Sequence, residues 1–87
     1  MTRRDKRIAS IVGSLASGLP LNRNDQEDIE ESLSSLVGRR GVNNSIRKSL
    51  AEALRLLSAR ESAGKHLMSF EIKILKKLRE QEKIIVH

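Results

Sequence analysis

The sequence predicts an all-α protein, a small bundle of four short amphipathic helices. Apolar residues recur at helical three-and-four spacing in separate stretches. Glycine, proline and cap-forming residues fall between those stretches. The chain has 87 residues, enough for one domain, so residues 1–87 are expected to form a single helical domain.

The first helix is expected to start at Thr2, with Asp5 three residues on in a capping-box spacing. Ile8, Ile11, Val12, Leu15 and Leu19 form its apolar face, and Gly18 and Pro20 end it. Arg3, Arg4, Lys6 and Arg7 crowd its N-terminus, where the macrodipole is already positive. Such an arrangement costs a little stability and reads as a frayed, solvated terminus or, alternatively, as a phosphate-seeking arm. In the second helix Asn24 is the expected N-cap, with Glu27 at the capping-box position and Ile29, Leu33, Leu36 and Val37 facing inward. The acids Asp25, Glu27, Asp28, Glu30 and Glu31 read as a solvated helix start. The alternative is a docking patch for a basic partner or a second subunit.

Residues 38–57 hold the most informative stretch. Gly38 and Gly41 bracket Arg39 and Arg40, and Asn44 or Ser45 can cap a third helix. Ile46, Leu50, Ala53, Leu54 and Leu57 fall on one stripe. At 100° per residue Arg47, Lys48 and Arg55 cluster on another side, with small Ala51 between them. Leu56 lies off the stripe, and a break is expected between Ser62 and Gly64. Ser69 is the expected cap of a last helix running to about Glu82, with Phe70, Ile74, Leu75 and Leu78 inside and Lys73, Lys76, Lys77 and Lys83 mostly outward. Ile84, Ile85 and Val86 are compatible with a last helical turn or a short terminal strand. An Ile-x-x-Ser-Leu echo at residues 11–15, 29–33 and 46–50 puts a small serine where helices can approach closely.

The chemistry available is narrow. There is no cysteine, hence no disulfide and no thiolate metal site. His66 and the terminal His87 are the two histidines, and no phosphate loop or His-Glu-x-x-His is present. A non-enzymatic protein without metal or cofactor is expected. No apolar run approaches a membrane span, so a cytoplasmic location and no membrane partner are expected. The formal net charge of +6 favours an anionic partner, nucleic acid or an acidic protein surface. Phe70 is the sole aromatic residue, which argues against a single-strand reader built on stacking and for duplex DNA gripped through its phosphates.

Residues 33–50 resemble a helix-turn-helix unit. Gly41, Val42 and Asn43 fit the turn, and Leu36 and Leu50 fit apolar positions. Arg40 stands where an apolar residue is usual, and Ile46 comes one residue early. The resemblance implies a recognition helix whose early residues face bases. Arg39, Arg40, Arg47, Lys48 and Arg55 would then neutralise phosphates, Asn43 and Asn44 would reach base edges or phosphates, and Arg3 and Arg4 would extend the surface. The expected protein is a small duplex-DNA-binding transcription regulator. The alternative is a helical interaction module that binds and modulates a partner protein. A homodimer is expected, because the core is small and the C-terminal tail apolar.

Overall fold

A computed structural model describes residues 3–38 and 44–86, and their side chains except at positions 4, 35–38 and 86. The expected caps and turn at Thr2 and at residues 39–43 lie outside the described residues. The architecture is an all-helical bundle, as expected, with one helix more: α1 (Arg3–Ala16), α2 (Arg23–Gly38), α3 (Asn44–Ser62), α4 (Ser69–Glu80) and a short α5 (Glu82–Val86).

Helix α3 is the hub. Its five stripe residues Ile46, Leu50, Ala53, Leu54 and Leu57 are all buried. Helices α1, α4 and α5 pack on it, while α2 packs on α1 and α4. The α2–α3 pair is not among these principal packing pairs, so the described residues do not show α2 and α3 packed on each other as the expected helix-turn-helix-like middle pair. From the other helices Ile8, Ile11, Val12, Leu15, Leu21, Ile29, Leu33, Leu67, Ile74, Leu75, Leu78 and Ile85 complete one continuous core.

Two helices end in the same way. Gly18 N–H donates to the Leu15 carbonyl (3.2 Å) and Leu19 N–H to that of Ser14 (3.0 Å). Gly64 and Lys65 repeat the pattern on Glu61 and Arg60, both at 3.0 Å. Both glycines have φ of 73°, the left-handed conformation of a Schellman motif. This corrects one expectation. The helical count stops at Ala16, so Leu19 leaves the apolar face and lies 56% exposed, and Leu21 is buried in its stead.

The start signals shift as well. Asn22, not Asn24, caps α2: its Oδ1 accepts from Asp25 N–H at 2.8 Å. At α4 the N-cap is Met68 rather than Ser69. Met68 has no side-chain oxygen to offer, and Glu71 instead reaches back to accept from Met68 N–H at 2.9 Å. The terminal β-branched residues form helix α5, with Ile85 buried and Ile84 packed against the core. The Cα radius of gyration is 11.9 Å, against about 12 Å for a compact chain of this length. The apolar tail therefore finds its partner in its own core, and it no longer argues for a second subunit.

Ser32, from the echoed serine positions, is fully buried, and its hydroxyl has no hydrogen-bond partner among the described residues. An unsatisfied buried hydroxyl is costly, and alanine is the better helix former. Ser32→Ala is expected to raise the unfolding free energy by about 1 kcal/mol in urea titration. A fall would mean that the hydroxyl has a partner.

Candidate nucleic-acid interface

The direction of the helices decides which charges can act together. Arg60, near the end of α3, donates from Nη2 to the carbonyl of Leu15, near the end of α1. Helix α1 also packs along α3 more extensively than any other two elements pack together. The two helices therefore run side by side in the same direction, and their N-termini share one end of the bundle. That end holds the basic start of α1 and the basic first half of α3.

On α3, Asn44, Lys48 and Arg55 fall within a narrow arc opposite the buried stripe, at 100° per residue. All three are exposed. Ala51, between Lys48 and Arg55 in the chain, is partly buried and packs against the core. Lys48 makes no ion pair among the described residues. Arg55 is held by Glu52 one turn back, Nε to Oε2 at 3.1 Å and Nη2 to Oε1 at 2.5 Å. This bidentate pair pulls the Glu52 carboxyl below its ordinary range, chiefly through the hydrogen bond from Arg55. It also orients the guanidinium along the solvent face, where such exposed pairs are weak and readily exchanged. Arg47 is half-buried, and its Nη2 donates to Asn44 Oδ1 at 2.9 Å. It therefore supports Asn44 more than it offers a free charge. On α1, Arg3 and Lys6 are exposed and make no ion pair among the described residues.

Several cations that the sequence leaves available are already engaged. Arg7 bonds Asp28 through Nε and Asp25 through Nη2, the latter at 3.1 Å. Lys73 and Lys77 both approach Glu30 Oε1, at 3.1 and 3.8 Å. The acidic start of α2 is thus satisfied in large part by its own chain. These contacts also tie α1 and α4 to α2, so Lys73 and Lys77 do not extend the α3 surface.

Of the sequence-predicted site residues, Asn44, Arg47, Lys48 and Arg55 are brought together on α3, and Arg3 lies at the same end of the bundle. Arg39, Arg40 and Asn43, and the side chain of Arg4, lie outside the described residues. Lys6 joins the group through the parallel packing of α1 and α3, a relation no local sequence pattern encodes. Among the described residues no group of three histidine, aspartate or glutamate side chains could hold a metal ion. No helix among them is long and apolar enough to cross a membrane. Compared with protein-family models, curated proteins and solved structures, the chain has no match in any of the three.

Proposed function

We propose that this protein binds duplex nucleic acid, DNA in the first place, and acts as a small regulator by binding alone, without a catalytic step. The observation that carries the reading is the line of Asn44, Lys48 and Arg55 along the solvent face of α3, with Arg3 and Lys6 at the same end of the bundle. Three of these, Lys48, Arg3 and Lys6, are exposed cations without a carboxylate partner among the described residues. A rigid helix presenting aligned cations suits the regularly spaced phosphates of a duplex. Asn44 adds an amide that both donates and accepts, at the helix start where base edges are reached. Phosphate contacts position a protein without reading sequence, so the expected binding is strong in low salt and modest in specificity.

The double variant Lys48→Ala/Arg55→Ala tests the surface. Each lost phosphate contact lowers the magnitude of the log-affinity against log-salt slope by about 0.9 on duplex DNA. Fluorescence anisotropy should therefore show a slope smaller by about 1.8 for the pair, with circular dichroism unchanged. An unchanged slope would remove this face from the binding surface.

A second reading, a helical module that holds a partner protein, is favoured by one observation. Leu19, Met68 and Ile72 are large apolar side chains left exposed. Salt elution from heparin separates the two readings, because a protein-binding module without a phosphate-binding face would pass through at low salt.

A further inference from the structure

The hydrogen bond between Arg47 and Asn44 decides which end of an amide faces outward. Arg47 Nη2 donates to Asn44 Oδ1 at 2.9 Å. A guanidinium carries donors only, so the amide atom that meets it is the oxygen, and the Nδ2 group is turned away from it. Arg47 is itself half-buried one turn along α3, which restrains it as a support. Asn44 is exposed, and its Nδ2 makes no hydrogen bond among the described residues. The side chain therefore offers two N–H donors and the second lone pair of Oδ1, donor beside acceptor in one plane.

That inventory selects among bases. On the major-groove edge adenine presents the N7 acceptor beside the N6 amino donor, the complement of a fixed amide. Guanine presents two acceptors, N7 and O6, and one of them would face Oδ1. An unrestrained amide can turn its Nδ2 group toward both, whereas one held by Arg47 keeps its oxygen in place. Cytosine offers a donor alone and thymine an acceptor beside a methyl group, so each supplies one hydrogen bond instead of two. Holding the amide in advance also reduces the side-chain freedom lost on binding.

The rest of the face agrees with a base at Asn44. Lys48 and Arg55 lie about 6 Å and about 16 Å farther along α3, at a rise of about 1.5 Å per residue. The major groove is about 12 Å wide. With Asn44 over a base at mid-groove and α3 crossing the groove, Lys48 comes to the phosphates at its edge and Arg55 to the backbone beyond. The short side chain then reads, and the long cations grip.

We propose that Asn44 reads one adenine in the major groove of a DNA duplex, and that Arg47 is the positioning residue that holds its amide for that contact. The inference rests on the nucleic-acid reading and adds a base to it.

The experiment selects bound duplexes at low salt from a pool with a randomised centre, then measures single-base variants of the selected duplex by anisotropy at one salt concentration. The wild-type chain should enrich adenine at one position. Guanine there should weaken binding about tenfold or more, the discrimination of a bidentate contact. Replacement by 7-deazaadenine, which lacks the N7 acceptor, should also weaken it. Asn44→Ala should bind all three duplexes alike. Arg47→Met keeps the stem and removes the donors; it should reduce the preference for adenine over guanine to about threefold or less. A ratio between two duplexes cancels the uniform loss that follows from removing a positive charge, and circular dichroism should show every variant folded. Salt-dependent binding without an enriched adenine would overturn this inference and leave the duplex reading in place. A preference that survives Asn44→Ala or Arg47→Met undiminished, or a wild type indifferent to 7-deazaadenine, would overturn it too. A wild type that binds no duplex would overturn both.

Discussion

Arg60→Ala is expected to lower the unfolding free energy by about 3 kcal/mol. Arg60 joins three elements: Nη1 meets Glu71 Oε2 at 3.0 Å, and Nη2 donates to the Leu15 carbonyl at the end of α1. Glu71 in turn accepts from Met68 N–H at the start of α4. The side chains of Arg60 and Glu71 are 21% and 7% exposed. Removing the guanidinium leaves the Glu71 carboxylate buried without its counter-charge, which typically costs 3–5 kcal/mol, roughly. The residual exposure of Arg60 puts the expectation at the lower end. Native domains have about 5–15 kcal/mol in total, so the loss should be plain in a urea titration. The double variant Arg60→Met/Glu71→Leu should recover much of it, because apolar replacement of a buried pair is often close to neutral. A loss in Arg60→Ala below about 1 kcal/mol, the range of an exposed pair, would mean that the network contributes no more than a surface contact.

Leu50→Ala should destabilise the fold by about 2–5 kcal/mol. Leu50 is 0% exposed at the middle of the α3 stripe, inside the helix on which α1, α4 and α5 all pack. Truncation forfeits the burial of its methyl groups and leaves a cavity in a core built of few residues. The contrast with the opposite face of the same helix is the informative part. Lys48→Ala and Arg55→Ala should each change stability by no more than about 0.5 kcal/mol, yet weaken duplex binding. Thermal melting and anisotropy on the three variants therefore separate the two faces of α3. If Lys48→Ala melted as low as Leu50→Ala, the assignment of one face to folding and the other to binding would fail.

The helices were legible because amphipathic periodicity is a local signal. The α3 stripe reads directly from 100° spacing, and every residue of it is buried. The same count puts Lys48 and Arg55 on the solvent side. It misplaces Leu19, because Gly18 adopts positive φ and periodicity does not continue past a left-handed residue. It misses the burial of Asp5, and that of Glu71 beside a half-buried Arg60, a pair eleven residues apart in the chain. Arg60 and Glu71 sit on opposite sides of the Gly64 turn, and Leu15 is 45 residues from Arg60. The candidate interface was partly legible for the same reason. Residue type and helical angle place its α3 cations, whereas the engagement of Arg7, Lys73 and Lys77 by α2 carboxylates follows from tertiary packing. The ambiguity at Ile84–Val86 also could not be resolved locally, because β-branched residues suit a strand until a core surface is available to receive a helical turn.

The most direct test of the account is the affinity of the wild-type chain for a short DNA duplex, measured by anisotropy across a salt series. Contacts from Lys48, Arg55, Arg3 and Lys6 predict a linear fall of log affinity with log salt, with a slope of about −3 to −4. The Lys48→Ala/Arg55→Ala variant should give a line shallower by about 1.8. No binding at the lowest salt, or a slope that is the same in both proteins, would contradict the assignment of the α3 face to nucleic acid.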